Sequence, residues 1–374
     1  MKVLILTTVH RWNDPRVFHK QACTLARQHE VTLAAVDSGP ERDVDGVHLK
    51  PLGIWKTRFD RPKLWWKAYI TILKSKADIV HFHDPELALI LLPYALVGNK
   101  KLVCDIHEHP TAAIGGRQWI PKIIRKATAF LFGKIITLAP NFFDEVILAE
   151  DSYIEHFSQR SNIHVIKNFA ILPSPDLPYT ERYDQFDPAE SLRLIYIGSV
   201  VEERGALIMA EALLKLLQRF PGTSLDLIGK VRPPELEIKL KEIANRTGNK
   251  LRLHGYLDLI EAGEILQKAH IGLIPLQPHP NFEGSFATKF YDYMTYGLPI
   301  IATDFPIWKR FLAENSCGIA IDATEPDQLV SAITELAEQP DQLEAFSKSG
   351  YAAVREKYSW EDEGEKLLDL YSRL

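Results

Sequence analysis

Short runs rich in β-branched residues alternate with longer amphipathic segments, and the whole alternation occurs twice along the chain. Val3 to Thr8, Val17 to Gln28 and Val31 to Val36 read as strand, helix, strand. The pattern continues through Ile79 to Phe82, a helix from Glu86, Leu102 to Ile106, a helix near Ile120 to Phe132, Ile135 to Leu138, and Val165 to Ile166. The strand runs are continuously apolar, as parallel strands covered by helices on both faces must be. Pro173, Pro175, Pro178 and Pro188 then break up a polar stretch, and residues 169–190 read as a linker. The rhythm restarts with Leu192 to Ile197, Ala206 to Arg219, Ser224 to Ile228 and Pro234 to Ala244, followed by runs at Leu251 to Leu253, Ile271 to Leu276, Ile300 to Ala302 and Gly318 to Ile321. The expectation is an α/β protein of two doubly wound, Rossmann-like domains, 1–168 and 191–355, facing a central cleft. A C-terminal helix within 356–374 is expected to pack back on the first domain. Ligands of such sheets bind beyond the carboxyl ends of the strands, so functional residues are sought in the loops there.

A length of 374 residues suits two domains better than one. The formal charge of −5 argues against a general nucleic-acid binder, which must neutralise many phosphates. Three cysteines, Cys23, Cys104 and Cys317, form neither a disulfide framework nor a C-x-x-C zinc pattern, which fits a reducing cytoplasm. The apolar N-terminus reads as a first strand rather than a signal peptide. The longest apolar run, Leu87 to Val97, contains Pro93 and falls short of the roughly 20 residues a spanning helix needs.

Two segments of the second half carry phosphate and ribose chemistry. After the strand ending at Ile197, the segment Gly198-Ser199-Val200-Val201-Glu202-Glu203-Arg204-Gly205 opens a helix. A glycine turn lets backbone approach a phosphate, and Arg204 can grip one bidentately; a plain βα turn with a surface arginine has the same spacing. The run from Phe282 to Pro299 reads as a helix with Ser285 as N-cap and Gly297 just past its end. Thr288, Lys289 and Asp292 share one face of that helix, which suits a nucleotide: Lys289 for the diphosphate and Asp292 for ribose hydroxyls. A surface Lys289–Asp292 pair is the bland alternative.

The run Thr288-Lys289-Phe290-Tyr291-Asp292-Tyr293-Met294, followed by Tyr296-Gly297-Leu298-Pro299-Ile300-Ile301-Ala302, closely resembles the donor-site helix of family 4 retaining glycosyltransferases of the GT-B fold. The loop Gly198 to Gly205 resembles that family's diphosphate loop. His254-Gly255-Tyr256-Leu257 resembles its turn near the base, which marks Gly255, Tyr256 and Leu257 as base-side residues. Asp14-Pro15-Arg16-Val17 and His81-Phe82-His83-Asp84 resemble common segments of its first domain, so that Asn13, Asp14, Arg16 and His83 are expected on the acceptor side. Cys104-Asp105-Ile106-His107-Glu108-His109 resembles the Asp-x-His-Glu segment whose histidine faces the donor sugar, which makes His107 the candidate catalytic residue. The resemblance implies transfer of a sugar from a UDP-, GDP- or ADP-sugar to a glycan or lipid-linked acceptor, with no cofactor and no essential metal. Glu283, Ser285, Thr288, Lys289 and Asp292 complete the expected donor site with Gly198 and Arg204. Three positions depart from the pattern. Gly284 stands where many members carry the first of two glutamates, with Glu283 displaced by one. Ser199 stands where many place an arginine, and His10-Arg11-Trp12-Asn13-Asp14 replaces an early glycine-rich loop.

Other functions fit parts of the sequence. His81-x-His83-Asp84 and His107-x-His109 have spacing compatible with a zinc hydrolase. A sugar-nucleotide epimerase on the same fold, or a noncatalytic nucleotide-sugar binder, would share the donor motifs. Finally, cationic and aromatic residues interleave from Trp55 to Lys76, including Arg58, Phe59, Arg61, Lys63, Trp65, Trp66 and Lys67. They read either as a solvated helix whose aromatics pack inward or as a peripheral contact with the anionic inner face of a membrane.

Overall fold

The structure is a computed structural model and describes all residues except 108–132, 134–136, 158–159, 174–178, 180–181 and 184–185. The chain divides into two compact units, Met1–Ile171 together with Trp360–Leu374, and Leu172–Ser359.

In the first unit, β1 (Lys2–Arg11), β2 (Glu30–Val36), β3 (Arg42–Val44), β4 (Val47–Gly53), β5 (Ile79–Phe82), β6 (Lys101–Ile106), β7 (Glu145–Leu148) and β8 (Ile163–Val165) form one sheet ordered β3-β4-β2-β1-β5-β6-β7-β8. Every pairing is parallel except β3 with β4. That antiparallel pair, absent from the sequence reading, turns at Asp45 and Gly46, whose φ angles of 48° and 80° are those a tight hairpin requires. Successive side chains of β1 go to opposite faces. Leu4 and Leu6 pack with Ala68 and Ile72 of the helix Arg61–Lys74 and with Leu87 and Leu91 of the helix Pro85–Val97. Val3 and Ile5 pack on the other face with Val17, Phe18 and Leu25, and with Trp360, Leu367 and Tyr371 of the final helix, Trp360–Ser372. The final helix is also pinned by polar contacts. The Trp360 N–H donates to the Ala170 carbonyl at 2.7 Å, its indole to Thr24 Oγ1 at 3.0 Å, and buried Glu363 accepts from the Lys167 N–H at 2.7 Å.

In the second unit, β9 (Arg193–Ile197), β10 (Ser224–Ile228), β11 (Leu251–Gly255), β12 (Ile271–Ile274), β13 (Ile300–Thr303) and β14 (Gly318–Ile321) form an all-parallel sheet ordered β11-β10-β9-β12-β13-β14. Each sheet grows first to one side and then to the other. The reversal falls between β1 and β5 in the first sheet and between β9 and β12 in the second, and such reversals leave a crevice at the carboxyl ends of the two strands.

Within the stretch read as a linker, the described residues Tyr179, Arg182 and Tyr183 are fastened to the second unit. Tyr179 bonds Ser347 at 2.8 Å, Arg182 donates to the carbonyls of Ala269 and Tyr296, and Tyr183 donates to that of His270. Prolines remove regular backbone structure but leave side chains able to anchor. Of the strand read at Ile135 to Leu138, residues 135–136 lie outside the described residues, while Thr137 and Leu138 are in helix and turn. The strand beside β6 is β7, ten residues further on. The helix read near Ile120 to Phe132 lies outside the described residues. Among the described residues no helix is long and apolar enough to cross a membrane.

Trp360 is 4% exposed. Trp360→Ala is expected to destabilise the protein by about 3 to 5 kcal/mol in chemical denaturation, whereas Glu365→Ala, on the exposed face of the same helix, should change stability by less than about 0.5 kcal/mol.

Candidate active site

In the second unit the crevice between β9 and β12 is built by backbone that only glycine tolerates. Gly198 follows β9 with φ of 130°, and its N–H donates to the Ile228 carbonyl at 2.8 Å. Gly205, with φ of 79°, lies so close to the strand-end loop after β12 that a Cβ would come within 2.3 Å of the Pro275 carbonyl oxygen. Between them Glu202–Arg204 forms a single helical turn before the helix Ala206–Arg219. This geometry folds Arg204 back over its own loop: a Cβ on Gly198 would lie 3.3 Å from Arg204 Nη1 and 3.5 Å from Lys289 Cε. The two cations, 85 residues apart in sequence, therefore converge on one glycine.

Lys289 is 8% exposed, and its ammonium lies 5.2 Å from the centre of the Tyr196 ring. Burial and the neighbouring Arg204 guanidinium push its pKa down to about 7, against the opposing pull of Asp292. Burial and Arg204 together outweigh the Asp292 carboxylate, so a diphosphate would bring further negative charge to two crowded cations. Asp292, partly exposed one turn along, is close enough to act on Lys289 electrostatically, while Thr288 is exposed at the helix start. Ser285 is not the N-cap read from the sequence. The helix spans Lys289–Thr295, while the Ser285 hydroxyl donates to the Phe282 carbonyl and its own carbonyl accepts from Trp308 Nε1 at 2.9 Å. Just before the helix, the Phe286 ring packs on Phe290, which in turn meets Trp308 edge-on. Glu283 is exposed at the end of the helical turn Pro280–Glu283.

The base-side turn adjoins the same loop. The Gly255 carbonyl accepts from the Gly229 N–H at 2.6 Å, and Gly229 in turn lies against the Gly198 carbonyl. Beyond it Tyr256 is 60% exposed and Leu257 partly so. The sequence reading missed Arg232, whose guanidinium stands 3.5 Å from Ser199 Oγ. It comes from the loop after β10 and places a cation next to Ser199. No local motif marks it.

In the first unit the carboxyl ends of β1, β5 and β6 hold a polar network centred on Asp105. Buried Arg16 grips this carboxylate through Nε at 3.1 Å and Nη2 at 2.7 Å, Gln21 donates at 2.7 Å, and His107 Nδ1 stands 3.1 Å from Oδ1. Burial opposes the charge, but the Arg16 guanidinium and the ring contacts outweigh it and hold the Asp105 carboxyl well below the usual carboxylate range. Arg16 also donates to the Ile166 carbonyl, so it fastens Asp105 in place rather than facing outward. His107 Nε2 meets His10 Nε2 at 3.1 Å, and His10 Nδ1 meets Asp14 at 3.0 Å. Asp14 caps the helical segment Pro15–Ala22 by accepting from the N–H groups of Arg16 and Val17. Asn13 is partly exposed in the same loop.

The histidines read as possible zinc ligands are arranged differently. Asp84 turns away from them and accepts from the Thr7 hydroxyl and from the backbone and hydroxyl of Thr8, tying β1 to β5. Asp105 takes its place: His81, His83 and Asp105 are buried, with ligand atoms all within 4.8 Å. Arg16 already neutralises the one carboxylate of this set, which disfavours a dication there; His81 Nδ1 bonds the Tyr371 hydroxyl at 2.8 Å, and its buried Nε2 has no hydrogen-bond partner among the described residues. His109 lies outside the described residues.

A family model described as glycosyltransferase family 4 matches residues 15–170, and one described as glycosyl transferases group 1 matches residues 191–339. Phosphatidyl-myo-inositol mannosyltransferase of Mycolicibacterium smegmatis is 22% identical over 354 residues, covering 92% of this chain and 85% of the relative. Sucrose-phosphate synthase of Thermosynechococcus elongatus superposes with a TM-score of 0.75 at 15% identity, over 100% of this chain and 98% of that one. HepE of Anabaena, solved in complex with UDP-glucose, superposes with a TM-score of 0.71 at 14% identity over the full length of both chains. The two sheets are those of the GT-B fold, and the matched segments take in most of the chain on both. The chain therefore belongs to the group 1, or family 4, glycosyltransferases.

Proposed function

We propose that the chain transfers a hexosyl group, with retention of anomeric configuration, from a nucleoside diphosphate sugar to a hydroxyl of a glycan or lipid-linked acceptor. The observation that carries this reading is the convergence of Arg204 and buried Lys289 on Gly198. These cations, with Arg232 beside Ser199, take the diphosphate. Asp292 and Thr288 take the ribose, and the Gly255 to Leu257 turn takes the base, with exposed Tyr256 offering a stacking face. Glu283 and Ser285 are assigned to the sugar, and His107 to the developing charge on it. The complex of HepE with UDP-glucose supports a donor of this class, with UDP, GDP and ADP forms as candidates.

Neither a cofactor nor a metal is needed for the step. The acceptor oxygen bonds the anomeric carbon on the face from which the diphosphate departs, the bond from that carbon to the phosphate oxygen breaks, and a phosphate oxygen takes the hydroxyl proton. Arg204 and Lys289 stabilise the departing charge. Product analysis with UDP-, GDP- and ADP-sugars tests the reading. Glycoside plus released nucleoside diphosphate is expected, undiminished by chelator. Free sugar would mark a hydrolase, an altered sugar nucleotide an epimerase, and unchanged donor a binding protein. Arg204→Ala and Lys289→Ala should each weaken nucleoside diphosphate binding by about 2 to 3 kcal/mol, roughly 30- to 160-fold. Near wild-type affinity in both variants would remove the donor assignment.

The acceptor reading draws on the similarity to phosphatidyl-myo-inositol mannosyltransferases and on the surface around the helix Arg61–Lys74. Leu64, Ala68 and Ile72 are its buried stripe. The aromatics do not all pack inward: Phe59 is 91% and Trp66 66% exposed, with Lys63 and Lys67 exposed nearby. Arg61 is engaged with Glu86 at 3.2 Å, so its charge is already balanced. An apolar tip flanked by lysines suits an anionic headgroup layer. Binding to vesicles containing phosphatidylserine should fall severalfold in the Phe59→Ser, Trp66→Ser double variant and weaken with salt. Equal partitioning of both proteins onto neutral and anionic vesicles would point to a soluble acceptor.

A further inference from the structure

The contact between His10 and His107 has an arithmetic that fixes its charge. Asp14 and Asp105 both have carboxyls held below the ordinary range: burial works against each charge, but His10 prevails at Asp14 and Arg16 at Asp105. An ionised carboxylate only accepts hydrogen bonds, so each ring must present an Nδ1–H to its own carboxylate, at 3.0 Å for His10 and 3.1 Å for His107. That leaves the two Nε2 atoms facing each other at 3.1 Å. With no proton between them two lone pairs collide, and with two protons two N–H groups collide. One shared proton makes a hydrogen bond. The row Asp14, His10, His107, Asp105 thus holds three ring protons and one imidazolium charge between two carboxylates.

We propose that His10 is a positioning residue for His107, and that the two rings act as one proton-sharing unit at the carboxyl end of the first sheet. The other charged or titratable groups facing the pair among the described residues are Arg16, from the helical segment Pro15–Ala22, and His83, at the end of β5. Arg16 is committed to Asp105, and burial lowers the His83 pKa against the opposing pull of Asp105. Neither can replace His10 as the partner of His107 Nε2. The shared proton lets His107 offer either a lone pair or an N–H without changing the charge of the unit. A hydroxyl that bonds His107 Nε2 takes the place of His10, and the proton then stays on His10, where Asp14 balances it. His10 stands in the segment that replaces the glycine-rich loop of many relatives, so the departure from the family pattern supplies a group rather than merely losing a loop.

Nitrogen-15 NMR of the histidine rings in the full chain, followed from about pH 5 to pH 9, tests the pair directly. The expected result is that His10 and His107 change together as one proton leaves, each keeping its Nδ1–H, and that in His10→Gln the midpoint of His107 moves by about one pH unit or more. Independent titration of the two rings in the wild type, or a His107 midpoint unchanged in His10→Gln, would overturn the proposal; the wild-type spectra alone decide it if a variant folds poorly. The kinetic consequence rests on the transferase reading above. His10→Ala should lower kcat about tenfold or more with little change in the donor KM and a displaced pH profile, and His10→Gln, which can donate to His107 Nε2, should recover part of the loss. An unchanged pH profile in both variants would count against His10. Coupled rings in a protein without transferase activity would instead leave the pair intact and remove the transferase reading.

Discussion

Lys289 is packed out of water against a second cation, and the second unit is shaped to keep it there. Burial and Arg204 both disfavour its charge. The arrangement persists because Gly198 and Gly205 adopt backbone conformations closed to other residues, and because Gly205 fits against Pro275 with no room for a side chain. A site that is electrostatically uncomfortable when empty is suited to an anionic ligand, since binding removes the conflict and the desolvation has already occurred. The Gly229 and Gly255 turns extend the same surface toward exposed Tyr256, so the three carboxyl-end loops of β9, β10 and β11 are physically continuous.

The first unit solves the opposite problem. Its buried charge is the anion Asp105, and it is surrounded by donors: Arg16, Gln21 and His107. Removing one of those donors would leave a buried charge short of partners, which is why Arg16 is better understood as part of the scaffold than as a ligand-binding residue. Asp84 does a related job between strands, binding Thr7 and Thr8 at the end of β1. Through Tyr371, which meets His81, the last helix of the chain reaches the same network from the opposite direction. Residues from both ends of the sequence thus meet around this buried cluster.

Much of this was legible in the sequence where chemistry is local. The two-fold βαβ rhythm, the Gly198 to Gly205 loop and the helix bearing Lys289 and Asp292 are continuous segments whose spacing carries their meaning. What escaped was made by long-range pairing. His10 and His107 lie 97 residues apart and meet only because β1 and β6 flank β5. Arg232 approaches Ser199 from a neighbouring strand's loop. The grouping of Asp84 with His81 and His83 in the zinc reading failed for the same reason: alternation along a strand predicts the shared face of His81 and His83, but not which carboxylate the next strand brings to it. The hairpin of β3 and β4 is different, because Asp45-Gly46 is a turn signal that stood in the sequence between two short runs too polar to read as strands.

Calorimetry of nucleoside diphosphate binding in buffers of different ionisation enthalpy shows whether Lys289 awaits a diphosphate. With a pKa of about 7 in the free protein, Lys289 is mostly neutral above that pH, and an adjacent diphosphate raises its pKa, so binding must take up a proton. At about pH 8.5, where the ligand itself is fully ionised, uptake approaching one proton is expected in the wild type, little in Lys289→Met, and less in the wild type as the pH falls through 7 and the lysine is already charged. Binding without proton uptake, or equal uptake in Lys289→Met, would mean that Lys289 does not meet the diphosphate.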